Sequence, residues 1–293
     1  MEQIPKAKLC RHKRSKTLSA VCFYVVAGLI SLVVILPFLY LIATSFKTFE
    51  NAVSEASSLL PSPFIFDNYK LVFTQHGFLR GFAASLLLST VPAIGIVASS
   101  SLVAYGFTRF EVREKEGIFF FLMLSVMIPG QVLQISMYAL YVRIGWINSY
   151  LPFLIPPFLG GGIMNVFLIR QFFRSTPKAL FEAAEIDGAG ELRIFLTIAM
   201  PLSLPVLIMV GVNSFVGGWN DFMTPLLYLG AREDLQPLAL LMYNLYDRTK
   251  IGDTKQWNII SAASLLTMLP LIILFFCSQR YFIEGISLSG IKE

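Results

Sequence analysis

Apolar residues in this chain run in long blocks, and polar residues gather in the gaps between them. Six blocks predict helices that cross a bilayer: Leu18–Phe46, Gly81–Phe107, Gly117–Tyr141, Leu151–Phe173, Ser203–Leu229 and Trp257–Phe282. Each exceeds the roughly 18 apolar residues that carry a helix through hydrocarbon. The first block is too long for the apolar core of a secretory signal and has no small-residue cleavage site, so it predicts a retained anchor. The pattern divides the chain into a basic segment over residues 1–17, a transmembrane domain over 18–283 and a tail over 284–293. In the tail the apolar run stops, and glycines and serines predict no independent helix. Such a tail is either a disordered end or a peptide that orders on a partner. The expected fold is an all-α membrane protein with six transmembrane helices.

Composition sharpens this picture. Apolar residues make up 56% of the chain and charged residues 14%, against about 25% charged in a soluble domain. Most of the surface therefore faces something other than water. The net charge of +5 matters through its distribution. Lys6, Lys8, Arg11, Lys13, Arg14 and Lys16 all precede the first block. With the N-terminus inside, the inner segments together with the inner ends of the blocks (Arg170 and Arg280) hold 15 of the 23 Lys and Arg residues, and the longer outer segments hold 8. The positive-inside rule then puts both termini and the segment around Glu182 on the cytoplasmic side. These residues lie at helix ends without a groove or interleaved aromatics, which argues against nucleic acid as a partner. Cys10, Cys22 and Cys277 have neither disulfide nor metal spacing and read as small buried hydrophobes.

What the blocks lack bears on the source of energy. The blocks hold almost no charge; Asp221, late in the fifth, is the main candidate for an ionisable group, and His12 and His76 both lie outside them. Secondary transporters usually place ionisable groups at mid-membrane depth, so proton or sodium coupling is not expected. No Gly-Lys dipeptide occurs, so no phosphate-cradling loop of the usual kind is present. Two histidines leave little for a hydrolase triad or a zinc site. An integral-membrane enzyme is the rival class, and it is short of acid–base groups. Active transport by this chain would need an external motor.

One charged, alanine-rich interruption, residues 174–202, offers a place to attach it. Thr176-Pro177 predicts an N-cap followed by proline at the first helical position. Ala179, Leu180, Ala183 and Ala184 then make a small, smooth face, from which Glu182 and Glu185 project. Asp187-Gly188 stops that helix. A second short helix follows, with Leu192, Phe195, Leu196 and Ala199 spaced as one face. A hairpin lying on the membrane would show Lys and Arg opposite large apolar residues. Alanines and acids dominate here, which favours a protein partner. Pro201 and Pro205 predict a bend into the fifth block.

Glu182-Ala183-Ala184, then Asp187-Gly188-Ala189, then Pro201 and Pro205, resembles the EAA motif of ABC-importer permeases. The likeness extends through Pro61–Tyr69, Ala104–Phe110, Met127–Gln131, Gly145–Asn148, Phe167–Phe173, Trp219–Phe222 with Pro225, and Gln279–Phe282. In this order the segments are similar to the six-span subunit of carbohydrate importers of the maltose and multiple-sugar type. The resemblance implies that Glu182, Ala183, Ala184, Asp187, Gly188 and Ala189 form a handle gripped by a cytoplasmic ATPase. It also implies two ATPase subunits that use ATP, a second permease subunit, an extracytoplasmic solute-binding protein and a sugar cargo in a prokaryotic plasma membrane. No cofactor is then expected on this chain. By the same analogy the first span packs on the neighbouring subunit, and the tail reaches towards the ATPases. Two positions depart from the family pattern: Ala84 precedes Ser85-Leu86 where Asn is frequent, and Glu185 stands where a basic residue is common.

Uncharged polar residues inside the blocks are candidates for the pathway. Sugar hydroxyls suit amides and flat aromatic faces. Gln131, Gln134, Asn213, Trp219 and Asn220 form the candidate set, with Tyr138 and Asn165 as further members. The ordinary use of such residues is to hold helices together, and Gly160–Gly162 and Gly217-Gly218 read as helix contacts. Near-neutral spans suit an uncharged cargo. A polyamine or glycerol phosphate is the alternative.

Overall fold

The computed structural model describes residues 6–54, 58–75, 77–230, 232–251 and 254–290. The chain forms two compact units, one of Met1–Val72 with Thr249–Leu265 and one of Phe73–Arg248 with Leu266–Glu293.

The first unit contains α1 (Lys6–Ser45), α2 (Phe49–Ser54), most of α3 (Asp67–Gln75), the antiparallel pair β1 (Lys250–Ile251) and β2 (Thr254–Lys255), and the start of α15 (Trp257–Gly290). The apolar stretch Ala20–Ser45 presents most of its side chains outward, Phe23 at 68% and Tyr24 at 73% exposure. A helix end leaves carbonyls without partners, and here Asn68 supplies them. Its buried Nδ2 donates to the Ser45 carbonyl at 2.8 Å and the Lys47 carbonyl at 2.9 Å, while Asn258 donates to its Oδ1 at 2.8 Å. The hydroxyls of Ser45 and Tyr69 lie 2.7 Å apart, and Phe64 stacks on Phe46 at 4.3 Å. The Pro61–Tyr69 segment thus holds the end of the first span in place.

The second unit runs through α4 (Phe78–Arg109), α5 (Lys115–Leu124), α6 (Gly130–Arg143), α7 (Leu151–Leu154), α8 (Ile163–Ser175), α9 (Lys178–Ile186), α10 (Glu191–Ile194), α11 (Met200–Leu202), α12 (Leu204–Asn220), α13 (Met223–Leu229) and α14 (Leu238–Arg248), and takes in the later part of α15. Helix α4 is its axis and packs most extensively on α12 and α8. Tyr105, Ile169, Phe173, Ile194 and Val206 are among the residues of its buried core.

Among the described residues four helical stretches are long and apolar enough to cross a membrane alone: Ala20–Ser45, Phe78–Arg109, Leu151–Ser175 and Trp257–Tyr281. Two bent pairs bring the number to six, Lys115–Met127 with Gly130–Arg143 at 94° and Glu191–Leu202 with Leu204–Asn220 at 79°. The third block is therefore not one straight helix. Ile128 and Pro129 are extended, and proline cannot donate the bond that would continue a helix. The second bend falls between Pro201 and Pro205, as their placement predicts.

The fourth block is interrupted too. Gly160, Gly161 and Gly162 have φ of 124°, 65° and 83°, so they break the helix, and the expected helix contact is made at the break. At Gly161 the backbone presses on α4, where a Cβ would sit 2.6 Å from the Ile96 carbonyl oxygen. In the fifth block the chain leaves the helix after Asn220, and Asp221 accepts the Thr224 N–H at 3.1 Å to open α13. Asp221, the block's lone charge, is accounted for as a helix-start acceptor.

Three further features depart from the sequence pattern. Residues 238–248, which fall in the gap between the fifth and sixth blocks, form α14, which buries Leu238, Leu240 and Leu245 and donates the Leu238 N–H to Ser85 Oγ at 2.7 Å. The last helix continues to Gly290, so the expectation of no helix in the tail fails over 284–290, and Ile291–Glu293 lie outside the described residues. That helix extends without a break from the sixth span, so the tail need not nucleate a turn of its own. Cys22 and Cys277 are exposed on their spans, not buried.

Candidate functional site

The handle begins where α8 ends. Thr176 is extended, and its hydroxyl lies 3.4 Å from the Phe172 carbonyl behind it, so it does not cap α9. Pro177, with ψ of 127°, stands just outside the helix, and the expected N-cap is corrected accordingly. Phe181 anchors α9 by inserting its buried ring into the core. Ala184 and Ala189 rest against the same core, and Glu182, Ala183 and Asp187 are exposed.

The turn after α9 is closed by its own backbone. Gly188 has φ of 77°; its N–H donates to the Glu185 carbonyl at 2.9 Å, and the Ala189 N–H donates to the Ala184 carbonyl at 2.9 Å. These two bonds form the pattern that ends a helix on a left-handed residue, with Ala184 and Ala189 in the apolar positions on either side of it. No side chain crowds Gly188, so glycine is needed there for its backbone angle alone.

The second arm turns a different face inward from the one its spacing suggested. Ile194, Phe195 and Ala199 are buried, whereas Leu192 is 66% and Leu196 54% exposed. Six apolar residues between 192 and 199 make several faces plausible on spacing alone. The wider helical turn over Phe195–Ala199 also departs from the regular period. With Ile186, 87% exposed, the leucines leave an apolar rim beside the acidic residues.

Charge ties this handle to α4. Arg109, the last residue of α4, pairs with Glu185. Its Nε also donates to both carboxylate oxygens of Glu191, at 3.1 and 3.3 Å. The Tyr105 hydroxyl donates to Glu191 Oε2 at 2.7 Å. Glu185, the acid at a commonly basic position, therefore faces this chain's own arginine. Beside it lies a cavity of about 430 Å³ whose lining includes Arg109, Glu116, Arg170, Arg174 and Glu182. Arg170 is buried, pairs with Glu116 and lies 4.1 Å over the Phe119 ring.

The pathway candidates separate. Asn213 and Asn220 are exposed on α12, a spacing of seven that puts them on one side, although Asn220 Nδ2 donates to its own helix at Val216, 3.0 Å away. Gln131 is exposed and Gln134 half-buried on α6. Trp219 does not join them. Its ring is 2% exposed, packs on Phe82 and Phe215, and donates Nε1–H to the Thr267 carbonyl at 3.2 Å. Both the face and the N–H that would recognise a sugar are used inside the fold, so Trp219 leaves the candidate set.

Residues 100–287, which contain the handle and its arginine partner, match the family described as "Binding-protein-dependent transport system inner membrane component". The chain belongs to that family. It is 30% identical to the arabinooligosaccharides transport system permease protein AraQ of Halalkalibacterium halodurans, over 90% of this chain and 93% of that one. It is 29% identical to the melibiose/raffinose/stachyose import permease protein MelC of Bacillus subtilis, over 96% and 99%. Its fold matches a chain from the crystal structure of a bacterial ABC transporter that imports alginate, with a TM-score of 0.81 at 20% identity, covering 92% of this chain and 98% of the other. The chain is thus a multi-pass membrane permease, as the EAA-like segment implied.

Proposed function

We propose that this chain forms, with a second permease subunit, the translocation path of an ATP-driven importer for a sugar or oligosaccharide. The chain carries no ATPase site of its own. Two ATPase subunits hydrolyse ATP beneath it, and an extracytoplasmic binding protein delivers cargo from above. Both termini and the handle lie in the cytoplasm, and the first span, exposed over most of Ala20–Ile42, faces the neighbouring subunit and lipid.

The observation that carries this reading is the handle. Two short helices meet at a turn locked by backbone bonds, are anchored on one side by Phe181 and Phe195, and show Glu182, Ala183, Ile186 and Asp187 to a partner. A rigid knob can pass on a partner's rotation where a floppy loop cannot. Among the pathway candidates Asn213, Asn220, Gln131 and Gln134 remain, all uncharged. Relatives whose names specify arabinooligosaccharides and melibiose, raffinose or stachyose favour the same cargo class.

The test is uptake by the complex of this chain with its second permease, ATPases and binding protein in vesicles. The expected result is ATP-dependent accumulation of at least one member of a sugar and oligosaccharide panel. Uptake of a polyamine or glycerol phosphate in place of every sugar would overturn the cargo. ATP-independent uptake would overturn the mechanism.

A further inference from the structure

Arg109 occupies an unusual place. It is the last residue of α4, the helix around which the second unit packs, and it holds an acid from each arm of the handle. Glu185 lies in the last turn of α9 and Glu191 in the first turn of α10, on opposite sides of the Gly188 turn. One guanidinium therefore bridges the turn, which a lysine ammonium could not do with the same fork of donors. Its grip on Glu191 is two-pronged, with Nε 3.1 and 3.3 Å from the oxygens and Nη2 3.1 Å from Oε1. Tyr105, one helical turn back on α4, takes the second oxygen at 2.7 Å. Its ring packs against Phe195 at 5.1 Å and Phe173 at 6.0 Å, fixing the hydroxyl from behind. The arginine side chain is 24% exposed and the two glutamates are 44% and 42% exposed, so the cluster is partly shielded from water.

Helix α4 continues from this cluster to the far end of the unit. There Ser85 accepts the Leu238 N–H, and Gly218 of α12 approaches the Leu88 carbonyl so closely that an added Cβ would lie 3.1 Å from its oxygen. A displacement of the handle that keeps the Arg109 cluster intact must move the end of α4, and with it the helix that packs along α12.

We infer that Arg109 is the positioning residue that couples the handle to α4, with Glu191 and Tyr105 as its principal partners and Glu185 as a second anchor. This inference rests on the function proposed above. It makes the link between ATP hydrolysis and transport depend on contacts inside this chain, in addition to the handle's contacts with the motor. Removing the arginine leaves a handle that the ATPase still grips, and only the apolar contacts of Phe181 and Phe195 remain to pass its movement to α4.

The experiment measures cargo molecules transported per ATP hydrolysed in vesicles holding the whole complex, for wild type, Arg109→Gln, Glu191→Gln, the double variant and Tyr105→Phe. In Arg109→Gln the ratio should fall about tenfold, within the usual range of coupling between sites. Binding-protein-stimulated hydrolysis should fall by less than about twofold. The double variant should be no worse than Arg109→Gln, because both changes break one interaction. Tyr105→Phe, which removes a single hydroxyl and keeps the buried ring in place, should lower the ratio about twofold and keeps the inference testable if the arginine variant fails to assemble. An unchanged ratio in complexes of normal composition would overturn the inference, as would additive losses in the double variant. Equal losses of uptake and hydrolysis would also overturn it, since they would mark a role in docking or assembly alone. If wild-type complexes show no ATP-driven uptake, the proposed function falls and takes this inference with it.

Discussion

Two glycine breaks, at Gly188 in the handle and at Gly161 in the fourth span, look alike in sequence and are built for opposite reasons. Both residues have positive φ, at 77° and 65°. Around Gly188 there is open space, and the turn is held by two backbone bonds with the ion pairs of Arg109 beside it. Around Gly161 there is no space, since α4 lies against it at Ile96 and Ser100. The first glycine shapes the turn of the segment proposed as a handle, and the second lets two spans approach. A break that is stiff by its own bonds can be displaced as a unit. A break that is stiff by packing can move only if its neighbours do.

Gly161→Val should separate the two most sharply. It adds collision to backbone strain, so the second unit should lose about 3 kcal/mol, read as a lower melting temperature and reduced recovery of the detergent-solubilised chain. A normal melting profile would show that α4 can yield at Ile96. Gly188→Val should cost about 1–2 kcal/mol, confined to the turn. The bundle should insert and melt nearly as wild type while co-purification of the ATPase and coupled hydrolysis drop. Normal transport by that variant would remove the rigid handle from the mechanism.

The smallest effect belongs to an ion pair with neither packing nor a locked turn around it. Arg232 holds the exposed Asp234 carboxyl, each nitrogen-to-oxygen bond at 2.8 Å, and pulls its pKa from 3.8 down to about 2. A depressed carboxylate stabilises the fold above its ordinary pKa and loses that contribution as pH falls from about 4 to about 2. Asp234→Asn should therefore melt within a degree or so of wild type at pH 7, and the remaining gap should close on acidification. A gap that widens below pH 4 would contradict the assignment.

Much of this fold could be read from the chain because lipid imposes a simple rule on long apolar runs. Six blocks, the bend between Pro201 and Pro205, and the helix stop at Gly188 all follow from local chemistry. Length alone misled at Pro129, where apolar composition continues through a 94° corner. It misled again at 238–248, where a largely apolar stretch of 11 residues is too short to span a bilayer and so falls between the blocks. The acids of the handle were legible as a group. Their partner was not, because no period connects Arg109 to Glu185 and Glu191 across the intervening spans. Trp219 failed for a related reason: an indole suits a sugar and a helix interface equally, and only its neighbours decide.

The exposure of α1 has a consequence for how the protein is made. This helix leaves the ribosome before the other spans, and from Ala20 to Leu39 all of its residues but Ala27 are exposed. Lipid can solvate it throughout synthesis, so its insertion need not wait for the rest of the chain. The later helices are different: α4 carries buried serines and α8 a buried arginine, groups that lipid solvates poorly. On this burial pattern biogenesis is expected to have two stages, an anchor that tolerates delay and a core that does not. A slow or stalled translation would be expected to leave the first correctly placed and the second exposed to degradation.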